Sequence, residues 1–187
     1  MRKAIHSSKG PTEMDTDLSF DLRRRFRDAM ANLPAAVNIV TTAGPAGRCG
    51  ITASAVCSVS DTPPTLLFCI NRNSTAVAAF ADNKRICINV LPGDHEQLAL
   101  HFAGVTKLSM EERFAEAAWS DGWGELPRLE PALVSLAGRL VEVAQVGSHD
   151  VMFVEIDDIA MRADADALIY FDRQFRRISR QPDVATA

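Results

Sequence analysis

Val37-Asn38-Ile39-Val40-Thr41-Thr42-Ala43-Gly44-Pro45-Ala46-Gly47-Arg48-Cys49-Gly50-Ile51-Thr52-Ala53-Ser54 decides the fold class. Its first six residues are mostly β-branched. Such side chains crowd a helical turn but fit a pleated strand. Gly44-Pro45-Ala46-Gly47 is turn chemistry. Cys49 to Ser54 then reads as the returning strand.

Outward from this pair, strands dominate. Upstream, Phe20 to Leu33 places apolar groups at helical spacing between arginines, and Pro34 ends that helix. Downstream, Thr65 to Ile70 is an apolar run after Pro63-Pro64, the pattern of a strand buried on both faces. A short helix over Thr75 to Ala81, capped by Asn73 or Ser74, leads to a buried strand over Ile86 to Leu91. Asp94 and Gln97 have capping-box spacing before a helix ending at Phe102, and Ser109 and Glu112 repeat it before Met110 to Ala117. Trp119 to Arg128 reads as a loop. Two long strands follow, Ala132 to Val146 and Val151 to Met161, with Gly147-Ser148-His149-Asp150 as the hairpin. Leu168 to Phe171 and Phe175 to Ile178 close the chain around Asp172-Arg173. There is no regular βαβ alternation, so the expected fold class is mainly β, a β-barrel with peripheral helices.

The 187 residues fit a single domain, expected over 19–180, after a disordered leader (1–18) and before a flexible tail (181–187). Apolar residues are 47% and charged residues 24%, ordinary for a globular chain, and the net charge is −4. That acidic balance gives no electrostatic footprint for nucleic acid. Arg23-Arg24-Arg25 reads as the wet face of a helix. No apolar run reaches the ~18 residues of a membrane span. Met1 to Asp17 lacks the apolar core of a signal peptide, so a cytoplasmic protein is expected. Cys49, Cys57, Cys69 and Cys87 form no C-x-x-C pair, and no histidine sits at zinc-finger spacing, so no metal is expected. Cys49, Cys69 and Cys87 lie in strand-like runs and read as buried thiols.

No G-x-G-x-x-G joins a strand to a helix and no phosphate-binding P-loop occurs, so a nucleotide would need another architecture. Thr52 to Ser58 is a run of small and hydroxylated residues. Small side chains let backbone N–H and C=O groups approach a flat, heteroatom-rich ring; the alternative is a polar turn. Asn71-Arg72-Asn73-Ser74 lies between a strand and a short helix. Arg72 offers a fork of donors suited to phosphate, or is simply exposed beside an N-cap. His149 could stack on a ring or steer a proton, or could merely cap its hairpin. His95 and His101 read as surface or satisfied side chains. No Ser/His/Asp or Cys/His order supports hydrolysis.

Taken together, Phe26-Arg27-Asp28-Ala29-Met30, Ala36 to Thr42, Gly50 to Val59, Pro63 to Leu67, Cys87 to Leu91 and Gly147-Ser148-His149-Asp150 resemble the flavin reductase family with the split-barrel FMN-binding fold. The resemblance runs from about Phe26 to Arg177. It implies NADH-dependent reduction of FMN, release of reduced flavin to a partner monooxygenase, and a homodimer. It places Thr52, Ala53 and Ser54 along the isoalloxazine and ribityl portion, Asn71, Arg72 and Ser74 near the flavin phosphate, and Phe102 at the border of the cofactor. His149 and Arg173 match places that receive the nicotinamide dinucleotide. Hydride passes between cofactors, so no catalytic side chain is required, and His149 is the candidate if one is. Gly44 to Arg48, Thr52 to Thr65 and Phe171-Asp172-Arg173 are similar to members whose monooxygenase opens the uracil ring of pyrimidines. Ser148 and Ile51 depart from the family pattern and bear on substrate preference. The alternatives are an FAD or FMN reductase component of an aromatic hydroxylase, and a non-catalytic flavin-binding protein.

Overall fold

The computed structural model describes residues 13–162 and 164–180. Residues 1–12 of the expected leader and the tail 181–187 lie outside them. Helix α1 (Glu13–Ala31) comes first, followed by strands β1 (Ala35–Ala36), β2 (Asn38–Thr42), β3 (Cys49–Ala53), β4 (Val56–Asp61) and β5 (Pro64–Asn71). Helix α2 (Val77–Asn83), strand β6 (Arg85–Val90) and helices α3 (Glu96–Phe102) and α4 (Met110–Ala115) form the middle. The short pair β7 (Trp119–Ser120) and β8 (Arg128–Leu129) precedes the long hairpin β9 (Val134–Val146) and β10 (His149–Met161). Strands β11 (Ala167–Phe171) and β12 (Gln174–Ile178) end the described chain.

Seven strands form one sheet in the order β3-β2-β6-β9-β10-β5-β4, every neighbouring pair antiparallel. The two edge strands, β3 and β4, are consecutive in the chain with only Ser54 and Ala55 between them. Two edges joined by so short a link must lie side by side, so the sheet has to roll. One run of chain therefore pairs with β2 through its first half and with β5 through its second. At the junction the Cys69 N–H donates to the Ala55 carbonyl at 3.0 Å. This is the expected barrel, closed by a strand that changes partner.

Strand β2 is buried along its whole length because it has a core on each side. Val40 packs inside the barrel with Phe68, Phe80, Ile86, Ile88 and Met152. Ile39 faces the other way, against Leu98, Ala99 and Phe102 of α3. Within this apolar surround Asn89 is fully buried, and its amide ties three segments together. Its nitrogen donates to the Ile39 carbonyl at 3.1 Å, while its oxygen accepts from the Leu129 N–H at 2.9 Å and the Ser135 hydroxyl at 3.0 Å.

Several local expectations shift. The first helix begins at Glu13 rather than Phe20 and ends at Ala31. Its side chains from Phe20 to Met30 are all exposed, Phe26 at 61%. Its C-terminal end is tied to the β11–β12 turn, where the Asp172 N–H donates to the Ala31 carbonyl and Arg173 pairs with Asp28. Strand β5 buries only Leu66, Phe68 and Ile70, so one face is covered rather than two. The Ser109–Glu112 capping box forms as expected. The Asp94 box does not: its carboxylate accepts instead from His95 Nδ1 at 2.7 Å, and α3 starts at Glu96. The N-cap of α2 is Ala76 with no side-chain cap, because the Ser74 hydroxyl accepts from the Ala76 N–H one turn early.

Candidate functional site

A cleft of about 580 Å³ opens where the barrel strand changes partner. Gly50 to Ala55 line it along the strand, and Cys69 and Asn71 line it from the end of β5. Segment 73–76, the Phe102–Gly104 end of α3, His149, and Met110 and Arg113 of α4 complete the walls. Strand β3 is a sheet edge, pairing only with β2 among the described strands. Its outer backbone groups are thus available to the planar heteroatoms of a ring, as the small residues of this run require.

Close approach is built into the strand at Gly50. A Cβ placed there would lie 2.7 Å from Cε1 of Phe102, so the ring is seated directly on the backbone. Phe102 in turn meets Phe114 edge-on, with centroids 5.1 Å apart, and tilts against Trp119 at 5.6 Å. Thr52 lines the cleft, yet its hydroxyl donates to the Ala99 carbonyl of α3 at 2.6 Å. That bond fixes β3 against α3 and spends the hydroxyl's one proton, so toward a ligand the Thr52 side chain can only accept.

The register of β5 and β10 sets His149 directly opposite Asn71, which brings both to the same wall. His149 is the first residue of β10 rather than part of the turn, and its Nδ1 lies 3.0 Å from the Ser148 hydroxyl. Asn71 and Ser74 are partly spent on local structure: Asn71 Oδ1 accepts from the Asn73 N–H at 2.9 Å, and its carbonyl from the Ser74 N–H at 2.8 Å. The Cys69 thiol is pushed above its ordinary value by burial, so it stays protonated at neutral pH.

The structure thus brings together Thr52, Ala53, Ser54, Asn71, Ser74, Phe102 and His149. Arg72 and Arg173 are not among the lining residues. Arg72 Nε lies 3.6 Å from the buried Asp150 carboxylate, and its N–H donates to the Ser148 carbonyl. Arg173 sits in the β11–β12 turn, paired with Asp28 of α1. Sequence reasoning missed Arg113. The Ser109–Glu112 box was the available signal, since it fixes the start of α4 and so puts Met110 and Arg113 on one face, three residues apart.

Residues 30–179 match the family model described as flavin reductase like domain. The chain belongs to the flavin reductase family. It is 53% identical over 156 residues to the 4-hydroxyphenylacetate 3-monooxygenase reductase component of Pseudomonas aeruginosa, spanning 83% of this chain and 92% of that protein. It is 48% identical over 158 residues to an Escherichia coli O157:H7 protein named FMN reductase (NADH) RutF, spanning 84% and 95%. A crystal structure from Haemophilus somnus superimposes with a TM-score of 0.79 at 42% identity, covering 83% of this chain and 98% of that one. In this flavin reductase the ring-sized cleft coincides with the point of barrel closure. Its volume, its small-residue strand edge and its cationic side chain fit a flavin mononucleotide.

Proposed function

We propose that the cleft binds FMN, that NADH reduces it there, and that the reduced flavin leaves for a partner monooxygenase. The observation that carries this is the strip Gly50 to Ala55, a strand edge rich in small residues along one wall of a cleft large enough for a tricyclic ring. FMN supplies the chemistry, accepting a hydride at N5 from C4 of the nicotinamide when the two rings touch. The chain's task is positional. Thr52, Ala53 and Ser54 flank the ring and ribityl chain, and Phe102, immobilised on Gly50, borders the ring. Asn71 and Ser74 line the same cleft. His149, exposed at the rim, is placed to meet the nicotinamide nucleotide. No side chain needs to move a proton in the hydride step.

The partner favoured here is a hydroxylase of a phenolic ring. Support comes from the relatives named for 4-hydroxyphenylacetate 3-monooxygenase, at 53 and 54% identity, against 48% for the relative named FMN reductase (NADH). Service to a monooxygenase that opens the uracil ring is the second reading, resting on Gly44 to Arg48 and Phe171-Asp172-Arg173. A homodimer is part of the proposal, since the exposed Leu22 and Phe26 of α1 call for a covering surface.

Steady-state oxidation of NADH with FMN, FAD or riboflavin tests the core of this reading. An FMN-dependent rate is expected. A chain that binds flavin without oxidising NADH under excess FMN is a flavin-binding protein instead, and the reductase reading falls.

A further inference from the structure

The structure assigns a second ligand, a hydroxylated aromatic acid, to a separate cavity between the β2–β3 turn and α4. Its effect on the cleft, though not its binding, rests on the reading of the cleft as an FMN site.

This cavity holds about 480 Å³, within the range of small-molecule sites. Phe114 and Trp119 supply its aromatic surface, edge-on to each other with centroids 5.0 Å apart, and Met110 adds a thioether. Such walls favour a flat ring. Two charged side chains line the cavity among the described residues, Arg48 and Glu111. The turn that carries Arg48 is bolted to α2. Asn83 is buried there, its Oδ1 accepts from the Ala46 N–H at 2.8 Å, and its amide nitrogen donates to the Gly47 carbonyl at 2.9 Å. The Arg48 guanidinium then sits over the Phe114 ring, 4.7 Å from its centroid. A guanidinium seated on a ring still donates from its edge, as a carboxylate requires. Its own ion pair, with Asp121 at 3.9 Å, is long and joins two exposed side chains, so exchanging it for a ligand carboxylate costs little. Glu111, in the first turn of α4, can only accept, and so calls for a hydroxyl donor. A flat ring bearing a carboxylate for Arg48 and a hydroxyl for Glu111 answers both.

The cavity shares a wall with the cleft. Met110 lines both, and Phe114 stands edge-on to Phe102, the ring seated on Gly50. A ligand stacked on Phe114 therefore braces α4 and Phe102 together, and both border the cleft. The acid and the flavin should each tighten the other by the same factor, since coupling between two binding sites is reciprocal. Flavin loading then follows the concentration of the acid.

Isothermal titration of the full chain, free of flavin, compares 4-hydroxyphenylacetate with its neutral analogue 4-hydroxyphenethyl alcohol on wild type, Arg48→Ala and Arg48→Lys. Wild type should bind the acid saturably, and the alcohol about 10- to 100-fold more weakly, the range for a charge-assisted contact. Arg48→Ala should weaken the acid by a similar factor and change the alcohol less than about twofold. Arg48→Lys should recover part of the loss, which also shows that the cavity still folds. No saturable binding of the acid, or equal affinity for acid and alcohol, overturns the assignment. Flavin fluorescence then follows FMN binding with and without saturating acid. FMN should bind about fivefold tighter or more with the acid present, and Arg48→Ala should erase that gain while leaving FMN binding without the acid unchanged. An acid that competes with FMN sits in the cleft and overturns the cavity assignment, whereas FMN binding indifferent to the acid overturns the coupling. A wild type that binds the acid but no flavin overturns the FMN reading alone.

Discussion

Gly50 has the narrowest tolerance in the cleft. An alanine there puts its Cβ 2.7 Å from Cε1 and 2.9 Å from Cδ1 of Phe102, a ring only 2% exposed and hemmed by Phe114 and Trp119. Phe114 and Trp119 back the ring, so Gly50→Ala should cost about 1–3 kcal/mol of stability, the usual range for overpacking. Urea unfolding of the flavin-free protein reads this directly, and a midpoint equal to wild type would show that the ring can yield. At this scale the sequence is uneven in what it reveals. The run Thr52-Ala53-Ser54 announces a small-residue shelf by composition alone. Arg72 announces a phosphate ligand by its place between strand and helix, because nothing local shows that β10 delivers Asp150 to it. That carboxylate arrives through a register in which Asp150 faces Ile70, and only the folded sheet contains that information.

Strand β6 shows how one polar residue can organise an element. Cys87-Ile88-Asn89-Val90 reads as an apolar strand with a blemish, and the blemish proves to be the tie between β2, β8 and β9. Asn89→Ala would leave the buried Leu129 N–H and Ser135 hydroxyl without that partner. The expected loss is about 2–4 kcal/mol, from two orphaned donors, one backbone and one side chain, and a small cavity. Thermal unfolding should show it, and a change under about 0.5 kcal/mol, the scale of a neutral surface substitution, would mean that the amide is dispensable. The capping boxes teach a related lesson. Ser109 and Asp94 carry the same spacing, but only Ser109 caps, because Asp94 has His95 as a nearer partner. Strand periodicity was legible: Met152, Val154 and Ile156 alternate with Glu155 and Asp157, and the first two are buried on β10 while Ile156 is half-buried. The strand nature of β4 was not, since Val56 to Asp61 is almost wholly exposed and carries no apolar rhythm.

For the molecule as a whole, α1 carries apolar side chains that the other described residues leave uncovered. Leu22 is 65% exposed and Phe26 61%, four residues apart on one face of the helix. If a second copy covers that face, replacing both with glutamate should convert a dimer to a monomer in sedimentation, with the barrel's circular dichroism retained. A wild type that sediments as a monomer would contradict the proposed dimer. We propose that residues 19–180 act as a single domain. Its barrel, by contrast, was foreshadowed by Val37 to Ser54, the hairpin that supplies β2 and β3.

The link Ser54-Ala55 has one more consequence. A complete barrel is a closed ring of hydrogen bonds, and a flat molecule could enter its wall only by breaking some of them. Here the ring is interrupted by construction, since β3 has left one neighbour before β4 takes up the next. A ligand at that gap can dock and depart without disturbing any rung of the ladder. The fold therefore suits a courier, a protein that holds its cargo briefly and gives it up, better than one that keeps a prosthetic group for life.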